Sequence, residues 1–114
     1  MNLQERIDSI DKLQTAYIKE VYDTCHYLIE EGIINKDDNS ILYELSEEDR
    51  DDGSSYFVTI NGRKGIYEGT IETIYKNGTI QVYINDTGDV WDITVDDLYD
   101  LTDKLTYLTI INNK

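Results

Sequence analysis

The chain has no proline, one cysteine, one histidine, one tryptophan and one phenylalanine among 114 residues. A single cysteine, Cys25, rules out an internal disulfide and a cysteine-rich zinc site. Bases are also scarce: 10 Lys+Arg stand against 24 Asp+Glu, a net charge of −14. Direct nucleic-acid binding is disfavoured, because phosphate contacts dominate it and need Lys/Arg patches. Anionic membrane surfaces are disfavoured for the same reason. No apolar run approaches the ~20 residues of a transmembrane helix, and MNLQERIDSI does not resemble a signal peptide, so a cytoplasmic location is expected. Walker, G-x-S-x-G and H-E-x-x-H patterns are missing too.

What is present suffices to fold. Apolar residues make up 39%, enough for one modest core. The expected fold class is α+β, with a helix over 1–34, an acidic connector over 35–55 and an antiparallel β domain over 56–114. Leu3, Ile7, Ile10, Gln14, Tyr17, Ile18, Val21, Cys25, Leu28 and Ile29 share one face at helical spacing, which predicts a single long amphipathic helix over 3–31. At 1.5 Å per residue such a helix runs roughly 43 Å, longer than a small barrel is wide. Its stripe then calls for a second copy, unless the chain breaks near Thr15-Ala16 and folds back. In the connector, Ile41, Leu42, Tyr43 and Leu45 predict a strand or helical turn pinned to the core.

From Tyr56 the period changes to two. Strands are predicted over 56–60, 66–75, 79–84 and 90–95, with turns at Asn61-Gly62, Asn77-Gly78 and 85–89. A helical turn is expected over 96–101 and a final strand over 107–111. Short strands with tight turns suggest a small barrel, since closure removes exposed edges. The run over 69–101 resembles Tudor-type SH3-like barrels. The resemblance rests on Ile71 and Ile74, the Asn77-Gly78 hairpin, Val82 through Asp86-Thr87-Gly88, and Asp97-Leu98 to Leu101. It implies the fold. A methyl-reading aromatic cage is not carried over: Tyr67 occupies one cage position, and Thr87 stands where a Tyr is common.

The negative charge is concentrated. Residues 37–52 hold Asp37, Asp38, Glu44, Glu47, Glu48, Asp49, Asp51 and Asp52 with one base, Arg50, a net −7. Residues 86–103 hold Asp86, Asp89, Asp92, Asp96, Asp97, Asp100 and Asp103 with no base, again −7. The rest of the chain is neutral. Carboxylates at this density repel one another, so they are either solvated loops or a surface that imitates phosphates. The second reading makes these fifteen acids the partner-binding residues, facing the basic surface of a nucleic-acid-binding protein. In size and charge alone the chain is similar to small acidic phage proteins that block restriction enzymes or CRISPR nucleases. A protein-interaction module working through its helix and barrel face is the other reading. No cofactor is expected.

Metal binding and catalysis have weaker support. Asp49-Arg50-Asp51-Asp52-Gly53 starts like an EF-hand loop, but Ile60 stands where the bidentate Glu belongs. Asp86, Asp89 and Asp92 offer at most a weak Ca²⁺ site. Cys25 and His26 are adjacent, which on a helix turns them about 100° apart, so a buried thiol and an exposed imidazole are expected rather than a dyad. Tyr27 is expected to point away from the apolar stripe, and Trp91 to be a core plug or a binding anchor, the core being favoured.

Overall fold

The structure, a computed structural model, describes residues 2–13 and 18–112. In chain order it runs α1 (Leu3–Leu13), α2 (Ile18–Glu30), β1 (Ile41–Glu44), α3 (Glu47–Asp52), β2 (Phe57–Gly62), β3 (Gly65–Tyr75), β4 (Ile80–Ile84), β5 (Val90–Ile93), a 3₁₀ turn (Val95–Asp97) and α4 (Leu101–Asn112).

The N-terminal helix is not one long rod. The Arg6 guanidinium lies 4.5 Å from the centre of the Tyr27 ring, whereas 21 residues of continuous helix would part them by about 31 Å. Two short helices therefore fold together, and Asn112 at the end of α4 reaches back to donate to Gln4 at 2.6 Å. Gln14, Tyr17 and the break expected at Thr15-Ala16 lie outside the described residues. Folding back buries Leu3, Ile7, Val21 and Leu28 within one chain. It also corrects Tyr27, which is half-buried beneath Arg6 rather than exposed, and Ile29, which is 43% exposed rather than buried.

The five strands form one antiparallel sheet in the order β1-β3-β4-β5, with β2 also on β3. The long β3 carries β2 along Gly65–Thr70 and β1 along Thr73–Tyr75, with β4 on its other edge. A bulge at Glu72, where the register slips between Ile71 and Thr73, bends the strand. Gly69 permits a close approach here: a Cβ would sit 2.4 Å from Val82 Cγ1. Inward positions alternate as the strand period requires, giving Val58, Ile60, Ile71, Ile74, Ile80, Val82, Ile84 and Ile93. Leu108, Ile110 and Ile111 of α4 join them in one core.

Two expectations for the C-terminal part fail. The sheet is open, not a closed barrel: β5 does not pair with β2, and among the described residues Leu98-Tyr99 spans the gap, through an isolated bridge to Ile60 and a 2.9 Å bond from the Tyr99 amide to the Thr59 carbonyl. Residues 107–111 are helical rather than a strand. The Asp100 and Asp103 side chains each accept from the other's backbone N–H, a reciprocal cap that starts α4. Thr106 and Thr109 return their hydroxyls to carbonyls four residues back, so threonines of strand-like composition sit within the helix.

Candidate interaction surface

The fifteen acids divide by what their carboxylates touch. Five hold local structure. Asp38 accepts from the Ser40 amide and hydroxyl and lies 3.7 Å from Lys76 Nζ; those Ser40 bonds and then Lys76 hold it below the usual carboxylate range. Asp52 accepts from the Ser54 amide, and Asp97 from the Thr94 amide that begins the 3₁₀ turn. Asp100 and Asp103 cap α4. Asp103 is buried, with its carboxylate turned to the Thr59 hydroxyl.

Of the remaining ten, nine are exposed and Asp49 is half-buried. Glu47, Glu48, Asp49 and Asp51 sit on α3, whose N-terminus favours negative charge and is capped by Ser46. Arg50, the one base among them, forks onto Glu72 with bonds of 3.1 and 2.5 Å and so leaves its neighbours unneutralised. Asp37 precedes β1, while Asp86 and Asp89 lie on the β4–β5 turn; all three are exposed. Asp96 faces Tyr22, and its carboxylate is the main cause that pushes the Tyr22 phenol up.

Glu44 and Asp92 bring the two acidic segments onto one surface. In register, Glu44 lies opposite Thr73, Thr73 opposite Gln81, and Gln81 opposite Asp92. Residues directly opposite share a face, so this row crosses the outer side of the sheet from one acidic segment to the other, a span of about 14 Å at three strand spacings.

A second feature lies at the open side of the sheet. The Tyr67 and Trp91 rings meet edge to face at 5.1 Å and wall a groove of about 610 Å³. Asp89, Asp92 and Asp97 line it together with Arg63 and Lys64. Trp91 is thus half-buried at a rim rather than sealed in the core.

Cys25 stands in a smaller cleft between α2, the Asn77-Gly78 turn and the 3₁₀ turn. Burial, and then Asp96, raises its thiol from an ordinary 9.0 to about 11. At pH 8 the thiolate fraction falls about 100-fold, and the higher basicity restores about tenfold. Alkylation by iodoacetamide is therefore expected to run about tenfold slower than for an exposed thiol, and equal rates would contradict this placement. A raised acid favours the folded state below its unfolded value, so this contribution is intact below pH 9 and lost between 9.0 and about 11. Tyr107, pushed up by burial, acts in the same direction.

Sequence reasoning missed several exposed aromatics. Phe57, Tyr22, Tyr56, Tyr83 and Tyr99 are exposed. For Phe57 and Tyr83 the missing information was register, which fixes the face on which each parity lands. Among the described residues no three His, Cys, Asp or Glu side chains are grouped to hold a metal ion, and no helix is long and apolar enough to cross a membrane. Compared with known protein families, curated proteins and solved structures, the chain matches none of them.

Proposed function

We propose that this protein binds the Lys/Arg-rich, nucleic-acid-contacting surface of another protein and thereby inhibits a nucleic-acid-processing activity. One observation carries the reading: among the described residues only Arg50–Glu72 and Lys76–Asp38 pair a base with an acid, so most of the concentrated carboxylate charge is left for a partner. The Glu44-to-Asp92 row supports it, since its span is close to the roughly 12 Å width of the DNA major groove. Each exposed carboxylate accepts from Lys or Arg, and Arg pairs bidentately. Long-range attraction speeds the encounter. The test is capture from a lysate at low salt with stepwise elution. A nucleic-acid-binding protein released at moderate salt is expected; a partner retained at about 1 M salt, where the Debye length is ~3 Å, would contradict the reading.

The Tyr67–Trp91 groove favours a second reading, in which the chain path is an SH3-like barrel left open and serves as an interaction module. Two aromatic rings, whose faces attract a cation, and three carboxylates suit one cationic side chain. In that case Tyr67→Ala and Trp91→Ala abolish binding, while the α3 charge variants leave it unchanged.

A further inference from the structure

We infer that the outer face of the sheet is a docking surface for a protein segment that carries Lys or Arg beside apolar side chains. The inference rests on the cationic-partner reading above and adds the contact that anchors it.

Register supplies the first observation. Phe57 lies opposite Thr70, Thr70 opposite Tyr83, and Tyr83 opposite Val90. These four positions form one row across four strands, on the side away from the core. Phe57 is 58% exposed, Val90 54% and Tyr83 39%. The chain's only phenylalanine is therefore held in water, on the same face as the adjacent pair Tyr83 and Val90, with Thr70 between Phe57 and Tyr83. Single exposed apolar residues are ordinary, but several gathered on one sheet face mark a contact.

Charge identifies the occupant. Glu68 flanks the apolar row on one side, and the Glu44–Asp92 row flanks it on the other, each about 7 Å away along the strands. No outward position on β2, β3, β4 or β5 carries Lys or Arg. A second copy would set Glu68 and Asp92 against further carboxylates on a chain of net charge −14. Nucleic acid and anionic lipid are repelled in the same way. A cationic segment with apolar side chains matches both parts of the face: its bases meet the flanking acids, and its apolar groups cover Phe57, Tyr83 and Val90.

The test uses the full chain, ¹⁵N-labelled, with two synthetic peptides of equal length and charge as probes, one alternating Lys and Val and the other alternating Lys and Ser. The Lys–Val peptide is expected to bind at least about tenfold more tightly. It should shift the amides of Phe57, Thr70, Tyr83 and Val90, and a Phe57→Ser/Val90→Ser variant with unchanged dispersion should lose the advantage. Equal binding of both peptides, or shifts confined to α3 and the β4–β5 turn, would overturn the docking surface and leave the carboxylate reading standing. Failure of both peptides to bind would overturn the two together. Concentration-dependent shifts of the same four amides without peptide would assign the face to a second copy and overturn the inference.

Discussion

Replacing Asp103 by Ala is expected to lower the unfolding free energy by about 2–4 kcal/mol. The carboxylate is buried at 8% exposure. It accepts the Thr59 hydroxyl from β2 and, at 3.3 Å, the Asp100 amide, while the Asp103 amide returns a 3.1 Å bond to Asp100. Its loss removes half of a reciprocal cap and leaves the Thr59 hydroxyl without its acceptor in a covered site. The same bond ties α4 to β2 close to the Leu98–Ile60 bridge, so the open side of the sheet should loosen with it. Asp92→Asn is the control. That side chain is exposed and makes no hydrogen bond or ion pair among the described residues, and removing one of several crowded charges should leave stability unchanged within about 0.5 kcal/mol. Denaturant titration reads both. Equal effects would show that the division between structural and outward acids is wrong.

The second large effect is on association. Triple neutralisation by Glu47→Gln, Glu48→Gln and Asp49→Asn should slow binding to a cationic partner by about tenfold and leave dissociation less affected. Raising salt from about 50 to about 500 mM should weaken the wild-type complex by roughly a hundredfold, because several exposed pairs are screened together. The variant should show the shallower salt dependence. The fold should tolerate the change: Ser46 still caps α3, Arg50 still holds Glu72, and relief of like-charge repulsion offsets the lost helix-end interaction. Stopped-flow or surface-binding kinetics separate the two rates. An unchanged association rate would place the contact elsewhere, with the Tyr67–Trp91 groove the first alternative.

Local pattern carried much of this fold. Period-two alternation from Tyr56 located β2 to β5 within a few residues, because one face of each strand is buried. Asn77-Gly78 marked its hairpin because Gly78 adopts φ 94°, a conformation that favours glycine. What escaped was long-range. The pattern over 3–31 is helical in both halves, and it takes a long-range contact such as that of Arg6 with Tyr27 to reveal the reversal. Tyr107–Ile111 has strand-like composition, yet the Asp100/Asp103 cap and the core partners of Leu108 and Ile111 make it a helix. The first hairpin turns at Arg63-Lys64 rather than at Asn61-Gly62, since Gly62 still pairs with Gly65. For the site, charge counting located every acid but could not separate caps from free carboxylates. Nor could it show that Glu44 and Asp92 end one cross-strand row, because that depends on the order of strands.

The most direct measurement is competition on a captured partner. With the protein immobilised and a nucleic-acid-binding protein bound at low salt, double-stranded DNA or RNA is added at increasing concentration. Mimicry of phosphates predicts that nucleic acid displaces the partner in proportion to its affinity, and that the free protein inhibits the partner's binding to nucleic acid in return. A ternary complex that forms without displacement would contradict it.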